Sequence, residues 1–189
     1  PDSGQLNAVG FFVRYGSDAN DRPPNIPSSN PPPRNRFRLM QYLQPTSGLD
    51  VYRDATGTAW FTNDVNKSQP VNCHVLAENV VALVFLPKRS DDQENSGAIA
   101  PGYRYDSRTP WTGGRQPVQM HQLPPVVRVV MVAIDEVSAM RNPTLGEEFK
   151  NLFHNPEDLE KDLETVEQML RNKRVNYRIF QSDGPIRTA

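Results

Sequence analysis

Residues 155–180, NPEDLEKDLETVEQMLRNKRVNYRIF, decide the fold class. Leu159, Leu163, Val166 and Leu170 fall at i, i+4, i+7 and i+11, which predicts one apolar stripe on a helix of about 17 residues. Asn155 is placed to cap it, Pro156 takes the permitted first position, and Glu157 and Asp158 complement the dipole. Glu160, Lys161, Asp162, Glu164 and Glu167 fall on the opposite, polar face, and Arg171, Lys173 and Arg174 gather at the C-terminal end. The period then changes. Val175, Tyr177 and Ile179 alternate with Asn176, Arg178 and Phe180, the pattern of a strand. A helix followed directly by a strand implies an α+β fold.

Working outward, Val126–Ile134 (VVRVVMVAI) has the length and Val content of a buried strand central in its sheet, introduced by Pro124-Pro125. His74–Leu86 reads as another central strand, apolar throughout its second half and bounded by Pro87. Asn7–Gly16 reads as a first strand. Arg36–Leu43 is strand-like, with Phe37, Leu39, Gln41 and Leu43 on one face and Arg36, Arg38, Met40 and Tyr42 on a half-wet other. Gly48–Arg53 and Thr58–Thr62 are expected as short strands around the Thr56-Gly57 turn, and Glu147–Phe153 as a short helix. Asp18–Asn35 and Lys88–Gly114 read as long surface loops, the first with polyproline II character. The expected architecture is a mainly antiparallel sheet with long loops and a packed C-terminal helix followed by a strand.

Composition narrows the function. Proline supplies 18 of 189 residues, about twice the average share of roughly 5%, and disfavours a long helical bundle. Lys plus Arg is 21 and Asp plus Glu is 22, a net charge of -1. That balance argues against bulk electrostatic binding of nucleic acid or an anionic membrane. A single cysteine, Cys73, forbids an internal disulfide framework. No apolar window reaches the roughly 18 residues of a membrane span.

The chemistry-bearing residues are scattered. Cys73 and His74 are neighbours on a strand and so point to opposite faces, which does not make a thiolate–base pair. His74, His121 and His154 lack ligand spacing, so no metal site is expected. Asp135-Glu136 closes a strand, where carboxylates commonly form turns; a hydrolase would need both to converge with His121. Asp91, Asp92 and Glu94 lack the alternation of a calcium loop. Gly113-Gly114 neither follows a strand nor opens a helix, so it is no phosphate cradle. Tyr103, Arg104, Tyr105 and Trp111 share the second long loop and are the candidate contact residues. No catalytic residue and no cofactor is expected.

Taken in order, several stretches resemble a known family. They are Val9–Gly16 (VGFFVRYG), Arg36–Met40 (RFRLM), Asn79–Val84 (NVVALV), Leu123-Pro124-Pro125 running into Val129–Glu136 (VVMVAIDE), Asp162-Leu163-Glu164, and Val175–Phe180 (VNYRIF). Together, from about Val9 to Arg187, they resemble the Verru_Chthon cassette protein C family, itself similar to type IV pilin-like minor pseudopilins near the J component of type II secretion. The resemblance implies a prepilin-type protein: an N-terminal hydrophobic helix trimmed by a prepilin peptidase, then a β-rich head. Residues 1–189 would be that head as a single globular domain without the helix. The implied role is non-enzymatic, a structural or assembly subunit of a pilus-like or secretion-like filament. Its partners would be other pilin-like subunits, and its place the cell envelope, as the periplasmic or surface-exposed head of an inner-membrane-anchored protein. No nucleic acid is implied, and membrane contact only through the missing helix. The alternative is a cell-envelope binding module for carbohydrate or peptide, built on the same loop aromatics.

Overall fold

The computed structural model describes residues 7–19, 21–22, 25, 32–51, 53–67, 71–88, 100–107 and 122–186. The fold is mixed α+β, with two small antiparallel sheets where the sequence suggests one. The chain divides into two compact units, 1–80 and 81–189.

In the first unit, β1 (Ala8–Ser17), β2 (Asn35–Gln44) and β3 (Cys73–Glu78) form an antiparallel sheet with β2 in the middle. The face of β2 expected to be half wet is the more buried one. Arg38, Met40 and Tyr42 are all enclosed. What covers that face is α1 (Ala59–Val65), whose first turn occupies the stretch expected as a strand. The Asp54 carboxylate accepts the Trp60 amide, and the Thr56 hydroxyl accepts the Ala59 amide, so two orphan donors at the helix start are satisfied. Trp60 and Phe61 then lie against Tyr42, with Phe61 edge-on to Phe12. Tertiary packing overrides the β-propensity of TAWFT. The other expected strand, Gly48–Arg53, begins instead at the end of a 3-10 turn (Thr46–Gly48) and continues irregularly. Asp50 is tied back to the Gln44 side chain through both its amide and its carboxylate.

Gly10 is opposite Tyr42 in the sheet, and a Cβ there would collide with the Phe61 ring. Gly10→Val is therefore expected to destabilise the first unit by about 2 kcal/mol through overpacking. Denaturant titration checks it, and Gly16→Ala, with open space at its Cβ, serves as the neutral control.

Acid acts on the same unit. The Thr56 hydroxyl, then the Trp60 amide, lower the Asp54 carboxyl from 3.8 to about 2. Asp64 is also lowered, by Lys67 and the Tyr42 hydroxyl. Burial pushes Asp18 up, but the Arg34 amide and the Arg22 and Arg36 guanidinium groups outweigh it and leave the pKa low. Between these folded values and 3.8 the unfolded chain binds more protons, so stability is complete above about pH 4 and falls as pH drops towards 2. Trp60 fluorescence in a Trp111→Phe background is expected to follow that loss. Asp54→Asn should flatten part of it.

His74–Leu86 is not one strand. Asn79 takes a left-handed φ of 61° and donates its amide to the Phe37 carbonyl. That kink ends β3, and β4 (Val80–Lys88) belongs to the other sheet. In the second unit the order is β4, β5 (Val126–Ile134), β6 (Tyr177–Pro185), so β5 is central as expected and β4 lies at an edge. Between β5 and β6 come α2 (Glu136–Arg141), α3 (Leu145–Glu148), a 3-10 turn (Phe149–Asn151) and α4 (Leu159–Asn172). All four stripe residues of α4 are buried, as are Val130, Val132 and Ile134 on one face of β5. On that face Arg128 reaches Glu160 of α4 and holds Asp183 of β6 with two hydrogen bonds. The cap differs from expectation: Pro156–Asp158 form a 3-10 turn, and Asp158, not Asn155, accepts the Lys161 amide.

Candidate functional site

Asp162 was expected on the polar face of α4, but it is only 2% exposed. Its Oδ2 accepts the Tyr103 hydroxyl at 2.8 Å, the His154 amide at 2.9 Å and the Asn155 amide at 2.8 Å. The Tyr103 ring packs edge-on against Phe153. Burial and the adjacent carboxylate push the Tyr103 phenol far up, so it stays a neutral donor. One carboxylate thus ties the loop at 100–103 and the turn at 153–155 to α4. A buried aspartate with this role is invisible to helical periodicity, which sees only a charged residue three positions beyond the start of the helix.

The candidate contact residues take different places. The Tyr103 hydroxyl is turned inward to Asp162 and the Asn155 carbonyl. The Tyr105 hydroxyl donates to the Gln122 carbonyl at 2.8 Å. Arg104 is exposed, and Trp111 lies outside the described residues. The first two aromatics therefore pin the loop locally, and the structure does not assemble the four residues into one described site.

Of the remaining candidates that the structure describes, none is drawn into a shared site. Burial pushes the Cys73 thiol up, away from thiolate, and His74 is exposed. Asp135 caps α2 by accepting the Ser138 amide at 2.6 Å, which holds its carboxyl low. The Ser138 hydroxyl in turn accepts the Asn176 amide. His121, Asp91, Asp92, Glu94 and Gly113-Gly114 lie outside the described residues. Among the described residues, no three His, Cys, Asp or Glu gather as metal ligands, and no helix is long and apolar enough to cross a membrane.

Two features carry no signal of a site in the sequence pattern. The first is an arginine–aspartate cluster at the base of the loop joining β1 and β2. Asp18 accepts the Arg34 amide and lies against Arg22 and Arg36, while Asp21 pairs with Arg14 and with Arg38 at 3.1 Å. Arg38 is 1% exposed, donates to the Gly16 and Ser17 carbonyls, and leaves Nε and Nη1 buried without hydrogen-bond partners among the described residues. The second is a groove of about 260 Å³ beside β6, lined by Ala133, Asp135, Asn176, Tyr177, Arg178 and Phe180.

No protein-family model matches this chain, and neither a curated protein nor a solved structure matches it.

Proposed function

We propose that the chain is the head of a non-enzymatic, pilin-like subunit that works by protein–protein contact in a filament of the cell envelope. The sequence resemblance suggests the class. The observation that carries contact as the mode of action is the apolar surface on edge strands: Val9 and Phe11 on β1, Val75 and Leu76 on β3, and Phe180 on β6 are all exposed. Each gives a partner apolar area to bury. Their position on edge strands adds unpaired backbone groups as a second means of recognition. Asp135, the strand-end carboxylate, caps α2, which suits an assembly role.

The test is the N-terminal sequence and intact mass of the protein isolated from its own cells. An N-methylated apolar segment upstream of Pro1 is the expected result. A mature terminus near Pro1, left by an ordinary secretory signal, overturns the filament reading. One observation favours the alternative of a peptide-binding module over carbohydrate: the groove beside Phe180 is bounded by a strand edge.

A further inference from the structure

We infer that the outer edge of β6 is a docking site for an extended, acidic segment of a partner protein, which adds a strand to the second sheet. This deepens the contact role proposed above and rests on it only in taking the partner to be a protein. The site is built by register. Asp135 donates its amide to the Asn176 carbonyl at one end of the β5–β6 pair, and Ile186 donates to the Pro125 carbonyl at the other. Between them the register is unbroken, Ile134 opposite Tyr177 through Val126 opposite Pro185. Hydrogen-bonded pairs alternate along an antiparallel ladder. Arg178, Phe180, Ser182 and Gly184 therefore turn their backbone groups to β5. Tyr177, Ile179, Gln181 and Asp183 turn theirs outward, where no described strand pairs with them.

The usable part of the edge is 177–181. Beyond it Pro185 has no amide hydrogen, and the Asp183 side chain is engaged by Arg128. Proline and engaged charge are what blunt an edge against indiscriminate pairing. Beside the open part lies the groove, with Ala133 and Phe180 as apolar lining and Phe180 48% exposed. An added strand would direct alternate side chains towards it, main-chain bonds giving affinity and the groove giving selectivity.

Charge selects the occupant. Arg178 lines the groove and is exposed, and it has no ion-pair partner among the described residues. The carboxylate in the groove, Asp135, is committed to the Ser138 amide. An incoming segment that alternates apolar and acidic residues fits this edge, and a basic one meets like charge.

The probe is the peptide acetyl-Val-Glu-Val-Glu-Val-amide, with its Lys counterpart as control, added to the isotope-labelled full chain. Amide hydrogen exchange read by NMR is expected to slow at Tyr177, Ile179 and Gln181. The inward-facing amides of Arg178 and Phe180, already in the ladder, should be unchanged. Arg178→Glu should weaken the acidic peptide by about tenfold or more. Gln181→Pro, which removes only an outward donor, should weaken it while the β5–β6 ladder amides stay protected. The inference is overturned if the acidic peptide protects none of the three outward amides, or if the Lys peptide binds equally. It is also overturned if raising protein concentration alone protects them, since the occupant is then a second copy of this chain. None of these outcomes depends on the native N-terminus, so a failure here and a failure of the filament reading are distinguishable.

Discussion

Asp162→Ala is expected to destabilise the second unit by about 3 kcal/mol, the scale of a buried charged group lost together with its partners' satisfaction. The substitution strands a phenol and two backbone amides that now converge on one oxygen. Among the described residues none of the three has another acceptor except the Tyr103 hydroxyl, which lies 3.2 Å from the Asn155 carbonyl. Asp162→Asn retains one oxygen and should cost roughly half as much, because a neutral acceptor makes weaker bonds than a charged one. Tyr103→Phe should cost about 1 kcal/mol, since it removes one donor and leaves the two amides bonded. Urea denaturation followed by circular dichroism measures all three. The double variant should be less damaging than the sum of Asp162→Ala and Tyr103→Phe, because both remove the same bond. An Asp162→Ala cost below about 0.5 kcal/mol, the range of an ordinary surface change, would sink the assignment of Asp162 as a pin.

The second large effect concerns Arg38. Truncation to alanine removes a fully enclosed side chain, opens a cavity on the covered face of the first sheet, and releases the Gly16 and Ser17 carbonyls. A loss of about 3 kcal/mol is expected. Arg38→Met is the informative partner. It fills much of the same volume, and it relieves the two buried guanidinium nitrogens that have no acceptor among the described residues. Asp21 keeps its pairing with Arg14 in that variant. Arg38→Met should therefore cost less than Arg38→Ala, because it removes the cavity while still releasing the Gly16 and Ser17 carbonyls. If Met proves as damaging as Ala, the lost hydrogen bonds and the Asp21 pair, and not the cavity, set the cost.

Both predictions fall on residues the sequence misplaces, and for one reason. Arg38 and Asp162 are charged residues in alternating or helical patterns, so periodicity assigns them to a wet face. Burial of a charge depends on donors and acceptors brought from elsewhere in the chain. For Asp162 they come from residues 103, 154 and 155; for Arg38, from 16, 17 and 21. Local pattern cannot count them. The same limit explains α1. Aromatic and Thr-rich TAWFT has strand propensity, yet the Asp54 and Thr56 side chains satisfy its first amides and Tyr42 and Phe12 receive its rings.

The candidate contact residues follow the same rule. A loop rich in Tyr and Arg is legible as a place where recognition or pinning happens. Which of the two applies is set by where the hydroxyls go. Tyr103 and Tyr105 find internal acceptors. The groove beside Phe180 had a legible half, since alternation correctly sets Arg178 and Phe180 on the face opposite Tyr177 and Ile179. Its other half, the open edge, follows only from strand order.

Local pattern suffices for the α+β class, β5 as a central strand, the buried stripe of α4 and the strand that follows it. Each rests on short-range periodicity carried by apolar side chains, and burial of such side chains needs no particular partner. The break at Asn79, which sends one apolar run into two sheets, is set by long-range contacts. So are the helix at Ala59–Val65, the burial of Arg38 and Asp162, and the edge of β6 that no described strand pairs with. Those depend on directional hydrogen bonds and on strand order, and both are made between residues far apart in the chain.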